Sequence, residues 1–476
     1  MNILFASAEV SPFAKVGGLA DVVGSLPRAL NRHGHDARVI MPNYQRVEEK
    51  FKPSMLLTDI PVQLGGQKTT VNLKYLEHGG LKIYLVDCPH FFMREEVYMY
   101  QDDGERFITF CKGALEALRR LDWKPDIIHA NDWQTGLIPC LIKTTLKNDP
   151  LFGGIGTVYT IHNLAYQGLF PPDYMIVAGV DWSEFTFEKL EFFGQLNLMK
   201  AGIVYSDQVN TVSDKYKDEI QTEEYGCGLD GLLRAQSHKL SGIINGIDTQ
   251  VFNPATDKNI FVKYTADKLS GKEENKGRLL KELGLPYKKT KRVPLIGMIT
   301  RLAAQKGFDI LEEIIEKVMK CDVQFVLLGT GDDYYEKLMG EVSKKHPDKA
   351  SINLKFDAAL AQKIYAACDI FLMPSRYEPC GLGQLISLRY GTVPVVRYTG
   401  GLADTIEDYN ARRKKGTGFV FENYTGADFF KAVKRALKCY DDKKVWTQIV
   451  KEAMSRDFSW EASAKKYEEI YRKAIM

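Results

Sequence analysis

Short β-branched and aliphatic runs recur along the chain, each closing on Gly, Asn or Asp, with longer stretches of helical apolar spacing between them. That alternation is the one-dimensional form of βαβ units and parallel sheets. In the first half the runs predict strands near Ile3–Ala6, Asp36–Met41, Lys82–Val86, Asp126–His129, Thr157–Ile161, Gln208–Val212 and Ser241–Ile244. In the second half they predict Leu295–Ile299, Gln324–Leu328, Ser351–Phe356, Ile370–Met373, Val393–Val396 and Gly418–Phe421. Between Asp248 and Val293, Lys, Asp, Asn, Gly and Pro dominate and no strand is predicted, so the connection between two domains is placed there. The final stretch, Trp460 to Ile475, spaces Ala464, Tyr467, Ile470 and Tyr471 along one helical face, which must dock on a partner element.

Length agrees with two domains, since 476 residues exceed what one ordinary core holds. With 45% hydrophobic and 26% charged residues the composition is globular and argues against disorder. A net charge of +3, spread evenly, argues against nucleic acid or a membrane surface as partner. The small basic clusters at Lys288 to Arg292 and Arg412 to Lys415 read as solvated loops. No run of about 18 apolar residues is present, so no transmembrane helix is expected. The opening MNILFASAEV has no basic n-region, which argues against a signal peptide and for a cytoplasmic location. The eight cysteines are scattered, without metal-ligand or CxxC spacing, and read as thiols in a reducing compartment. Only Cys380 falls inside a motif.

Functional residues of α/β proteins gather on the loops after strands. After the first strand comes Lys15-Val16-Gly17-Gly18-Leu19-Ala20-Asp21, followed by Val22, Val23, Leu26 and Leu30 at helical spacing. Lysine and glycines at a helix N-terminus can cradle an anion through charge, dipole and closely approaching N–H groups. A tight strand-to-helix connection reads the same way, and both readings stay open at this point. In the second half Arg301 and Lys306 follow a strand in Thr300-Arg301-Leu302-Ala303-Ala304-Gln305-Lys306-Gly307. Two fixed cations could stabilise a departing diphosphate without a metal, or could simply be surface charges. A third loop, Ser375-Arg376-Tyr377-Glu378-Pro379-Cys380-Gly381-Leu382, offers a carboxylate for sugar hydroxyls, or a helix-capping acid. After the next strand, Thr399-Gly400-Gly401-Leu402-Ala403-Asp404 nearly repeats the first loop. In the first half, Asn131-Asp132-Trp133-Gln134 and His162-Asn163 supply polar groups and an aromatic ring suited to a carbohydrate.

On these residues the chain resembles the bacterial glycogen synthase and plant starch synthase family over essentially its whole length. KVGGLADVVGSLP, HANDWQTGL, TIHNLAYQG, TRLAAQKG, PSRYEPCGLGQL and TGGLADT match that family's motifs in order. The resemblance implies an α/β fold of the GT-B type, two Rossmann-like domains with parallel sheets facing across a deep interdomain cleft. It implies an N-terminal acceptor-side domain over 1–248, a nucleotide-sugar domain over 249–457, and a last helix over 458–476 that crosses back to the first. The implied reaction is transfer of glucose from ADP-glucose to the non-reducing end of an α-1,4-glucan (glycogen, starch or maltooligosaccharide), with retention and without cofactor or metal.

By the same resemblance Lys15, Arg301 and Lys306 hold the diphosphate with the amides of Gly18, Gly381 and Leu382, a clamp expected to be complete only when the domains close. His162 and Glu378 address the glucose, and Phe356 stacks on the donor base. Asp21, Asp132 and Trp133 lie toward the acceptor, while Gly17, Asn163, Cys380, Thr399 and Gly400 complete the binding set. Two positions depart from related patterns: Ile386 stands where the wider clan often has a second acid, and Gln134 where many relatives have His. With no evident pair of carboxylates, a front-face course in which the leaving phosphate takes the acceptor's proton is the expectation. Phosphorylase, epimerase and nicotinamide dehydrogenase motifs are not matched, the last for want of GxGxxG after the first strand.

Overall fold

The computed structural model describes residues 1–288 and 290–475; Lys289, within the first basic cluster, and Met476, at the end of the last predicted helix, lie outside the described residues. The chain divides into two compact units, one of residues 1–246 and 460–476, the other of residues 247–459.

The first unit is built on strands β1 (Asn2–Ala6), β2 (Asp36–Pro42), β3 (Ser54–Leu64), β4 (Gln67–His78), β5 (Leu81–Asp87), β6 (Ile127–Asn131) and β7 (Gly156–Ile161), with β11 (Gln208–Thr211) and β12 (Leu240–Gly242). They form a nine-stranded sheet in the order β12-β11-β7-β6-β1-β2-β5-β4-β3. Its parallel part keeps the order of a doubly wound sheet, reversing between β1 and β6. Residues 3–6 are fully buried because helices cover both faces of a parallel sheet, and each such Ile, Leu or Phe contributes about 1.5–3 kcal/mol.

The antiparallel hairpin β3–β4 was not among the expected strands. Its outer strand alternates exposed and buried positions without a continuous apolar run, so it carries the weak signal of a solvated edge. A second unexpected element is a small sheet, β8-β10-β9, made of β8 (Leu169–Phe170), β9 (Glu191–Phe192) and β10 (Gln195–Asn197).

The second unit holds β13 (Leu295–Ile299), β14 (Gln324–Leu328), β15 (Ala350–Asn353), β16 (Ile370–Met373), β17 (Val393–Arg397) and β18 (Phe419–Phe421). All six run parallel in the order β15-β14-β13-β16-β17-β18, the Rossmann order, reversing between β13 and β16. The Asp248–Val293 stretch is no bare linker. Its helix Ser270–Glu282 is tied into this unit by Lys276, whose Nζ donates to Asp369 at 2.8 Å in the interior.

The last helix, Trp460–Ala474, belongs to the first unit and buries Ala464, Tyr467, Ile470 and Tyr471. Beneath it runs a polar chain. The Thr160 hydroxyl donates to Asn210 Oδ1 at 2.6 Å, so it accepts from His129 Nε2; His129 Nδ1 is therefore left to accept from the Tyr471 hydroxyl at 2.9 Å. Asn210 donates in turn to the Tyr467 hydroxyl at 3.2 Å.

Candidate functional site

In each sheet the loops at the reversal of strand order carry the chemistry. In the first unit these follow β1 and β6, joined by the loop after β7. The β1 loop leads into the helix Gly18–Arg32, whose N-cap, Gly17, has no side-chain cap. Glu9, almost fully buried and given no role by sequence, organises this loop. Its Oε2 accepts from the amides of Val16 at 2.6 Å and Gly17 at 2.7 Å, and its Oε1 accepts from the Tyr98 hydroxyl at 2.9 Å. The signal for it was only an acid three residues past a strand. Lys15, exposed, places Nζ 2.7 and 2.8 Å from the two carboxylate oxygens of Asp21. The lysine read as the phosphate cation and the aspartate read as facing the acceptor are thus one ion pair.

Asp132, just past β6, has φ 55° and ψ −179°, a conformation that costs a non-glycine residue about 1–3 kcal/mol. What holds it there is its own side chain, whose Oδ1 accepts from the His162 amide at 2.8 Å. Burial pushes the Asp132 carboxyl up to about 7, and the nearby Glu9 charge adds to that. His162 is buried, which pushes its imidazole down to about 3, so the ring is neutral. Asn131 donates its amide to the carbonyls of Ala6 and His129, leaving Oδ1 to accept from His162 Nε2 at 3.0 Å. His162 Nδ1 is thereby the ring's acceptor. Trp133 is half-buried, packed against Phe107 and Phe170 with ring centroids 5.1 and 5.6 Å away. The Asn163 Oδ1 accepts from Ala165 at 3.1 Å in a local turn.

In the second unit the loops after β13 and β16 meet. Lys306, on the short helical turn Ala304–Lys306, donates to Glu378 Oε1 at 2.9 Å and Oε2 at 2.8 Å. Ser375, which the sequence reading left unassigned, adds a hydroxyl donor to Oε2 at 2.8 Å. Glu378 is 8% exposed at the side chain and is therefore a buried carboxylate that accepts three hydrogen bonds from two donor groups. Arg301 is exposed, and among the described residues its guanidinium has no ion pair. Gln384 is fully buried and donates to the carbonyls of Cys380 at 2.9 Å and Gly381 at 3.0 Å, which fixes the loop before the helix Gly383–Arg389. Cys380 is itself buried, so what it presents to a ligand is main chain. Phe356 lies beyond the end of β15 rather than within it, in the turn before the helix Ala358–Ala367, and is 89% exposed.

The two Gly-Gly-Leu-Ala-Asp segments do different jobs. A Cβ on Gly17 or Gly18 would meet nothing within 4 Å, so that loop is open. A Cβ on Gly400, at φ 43°, or on Gly401 would run into the carbonyls of Glu378 and Cys380. Gly400 and Gly401 accordingly seat the Glu378 loop from behind, and the Gly401 amide donates to the Glu378 carbonyl at 3.1 Å; Thr399 is the N-cap of the helix Gly400–Thr405. Among the described residues no group of three or more His, Cys, Asp and Glu is placed to hold a metal.

Two doubly wound units, one carrying a neutral histidine among sugar-type donors and acceptors and the other a lysine–glutamate pair beside an unpaired arginine, define a glycosyltransferase of the GT-B class. Comparison with known proteins narrows this. Residues 2–235 match the family model described as starch synthase catalytic domain, and residues 286–453 match glycosyl transferases group 1. The chain is 50% identical to a glycogen synthase of Thermotoga maritima, covering 100% of this chain and 99% of that one. It is also 50% identical to a glycogen synthase of Moorella thermoacetica, covering 97% of that chain. The catalytic domain of starch synthase IV from Arabidopsis thaliana, solved bound to ADP and acarbose, superposes with a TM-score of 0.92 at 36% identity, covering 100% of this chain and 99% of that one. A sucrose-phosphate synthase from Thermosynechococcus elongatus shares the fold, with a TM-score of 0.62 at 18% identity, covering 99% of this chain and 98% of that one. The chain belongs to the glycogen and starch synthase family and is an enzyme of glucosyl transfer in glucan synthesis, using a nucleotide-sugar donor and a glucan acceptor. Among the described residues no helix is long and apolar enough to cross a membrane.

Proposed function

We propose that this enzyme moves glucose from ADP-glucose to the non-reducing end of an α-1,4-glucan, with retention, without metal or cofactor, and by a front-face course. The observation that carries the reading is the Glu378 carboxylate, bound at both oxygens by Lys306 and at one by Ser375. A carboxylate engaged in that way is poorly suited to attack an anomeric carbon and well suited to accept hydrogen bonds from sugar hydroxyls. Lys306 can at the same time turn toward a phosphate. ADP is carried over from the starch synthase IV complex.

In this scheme Lys15, Arg301 and Lys306, with the amides of Gly18, Gly381 and Leu382, neutralise the diphosphate as the C1–O bond to phosphate breaks. A phosphate oxygen takes the proton of the acceptor hydroxyl, and that hydroxyl oxygen bonds C1 on the face just vacated. Neutral His162 accepts from a donor-sugar hydroxyl through Nδ1, and the exposed Phe356 ring stacks on adenine. Asp21, Asp132 and Trp133 serve the acceptor side. A cytoplasmic location fits eight cysteines that all stand as free thiols.

The test is glucose incorporation into a glucan primer from ADP-glucose and from UDP-glucose. Wild type should prefer ADP-glucose, and Glu378→Ala should lose about 10²–10³-fold in kcat. No transfer from either donor, or an undiminished Glu378→Ala, would sink the scheme.

A further inference from the structure

The helix Gly383–Arg389 continues from the Glu378 loop at its start and reaches a cavity at its end. The cavity, of about 150 Å³, lies within the second unit. Its walls come from the end of this helix and from the two stretches with which the unit begins and ends, residues 247–249 and 454–458. Arg389 lines it. The Arg389 Nε is fully enclosed yet has no hydrogen-bond partner, and among the described residues no carboxylate pairs with the guanidinium.

Enclosing a charged donor without an acceptor is unfavourable, because the water it gives up is not replaced. A basic residue in the last turn of a helix also complements the helix dipole, which accounts for the charge but leaves Nε unanswered. The remaining polar wall does not supply the acceptor. Arg456, a second guanidinium, spends Nη2 on Glu407 at 2.7 Å and Glu452 at 3.2 Å. The one carboxylate in the lining, Asp457, accepts from the Ser459 amide at 2.9 Å, and the Ser455 hydroxyl donates to the Glu452 carbonyl at 2.7 Å.

We propose that this cavity is an oxyanion site that takes a tetrahedral phosphate, either the free ion or the terminal group of a small phosphate ester, anchored on Arg389. A guanidinium offers two parallel N–H donors to such an anion, and the space admits one group of that size. The site is separate from the diphosphate cations: the seven-residue helix between them is about 10 Å long. An occupant ties the end of that helix to the stretches at residues 247–249 and 454–458.

Calorimetric titration of the full chain with inorganic phosphate at constant ionic strength tests this, with wild type, Arg389→Met, Ser455→Asp and Lys306→Met as arms. Ser455 is exposed, so Ser455→Asp sets a negative charge at the cavity wall without burying it. The proposal expects a saturable phosphate site that survives Lys306→Met and weakens about tenfold or more in Arg389→Met and Ser455→Asp. A parallel titration with glycerol 3-phosphate separates the sources: tighter binding than phosphate assigns an ester, equal or weaker binding the free ion. No saturable binding, binding lost in Lys306→Met alone, or equal affinity in wild type, Arg389→Met and Ser455→Asp overturns it.

Discussion

Glycine 400 and glycine 17 stand at corresponding places in the same five-residue motif, yet their substitution has different expected costs. At φ 43° and against the Glu378 carbonyl, an alanine at 400 forces the Glu378 loop to move. Gly400→Ala should therefore cost about 1–3 kcal/mol and lower kcat, while Gly17→Ala, in extended backbone and open space, should change stability by less than about 1 kcal/mol. Urea unfolding and initial rates on the pair check this, and equal stabilities would refute the packing role. Titration is a second residue-level matter. Burial holds His129 and His162 each down at about 3, so both take up a proton only on unfolding once the pH drops below about 6.5. Asp132, held up at about 7, does the reverse and keeps a proton that the unfolded chain releases above about pH 4. Between about pH 4 and 6.5 the unfolded chain thus binds two protons at these sites against one in the fold. The net of one makes stability fall by about 1.4 kcal/mol per unit of acidification. His129→Gln should flatten that dependence; an equally steep fall in its urea midpoint would count against the assignment.

The last helix shows what an element adds. Its apolar spacing was readable, and Ala464, Tyr467, Ile470 and Tyr471 are the residues it buries. Its specificity comes from the polar chain below, in which Tyr471 satisfies His129 and Tyr467 satisfies Asn210. Tyr471→Phe leaves His129 Nδ1 enclosed without a donor, at a cost of about 1–3 kcal/mol. For a unit of this size that should lower the melting temperature by roughly 2–10 °C, and an unchanged melting curve would remove the chain of hydrogen bonds from the stability of this unit. The hairpin β3–β4 is the opposite case. Only one face of it meets the core, so a search for continuous aliphatic runs passes over it, although the Gly65-Gly66 turn between its strands was in plain sight.

Chemistry at the scale of the enzyme is set by two sheets that each reverse strand order at the loops bearing the charges. Because the helix Gly383–Arg389 after Glu378 carries no second acid, and Glu378 is already bound by Lys306 and Ser375 and so is poorly placed as nucleophile or base, the glucosyl unit should keep its α configuration. Proton NMR of the first-formed product decides it, and a β-linked product would overturn the front-face scheme. Activity should also persist in excess chelator, since the proposed scheme gives the leaving group three side-chain cations; loss of turnover restored by a divalent ion would show otherwise.

Much of the site was written in local sequence, because post-strand loops, Gly-Gly turns and fixed spacings are chain-local features. That is why Lys15, Arg301, Lys306, Glu378 and His162 could be named before any fold was known. Glu9 and Ser375 could not be, since an acid and a hydroxyl acquire meaning only from the partners that folding aims at them: Glu9 from the amides of Val16 and Gly17 and the Tyr98 hydroxyl, Ser375 from the Glu378 carboxylate. The sequence by itself determined the alternation of strands and helices, the two-unit plan and the residue types of the proposed donor site. Tertiary structure alone decided that Lys15 pairs with Asp21, that Lys306 clasps Glu378, and that the second glycine motif supports a loop. Lys306 and Glu378 come from separate segments brought together at the reversal of the second sheet, where no spacing along the chain records the distance, whereas Lys15 and Asp21 meet only through the path of the loop between them.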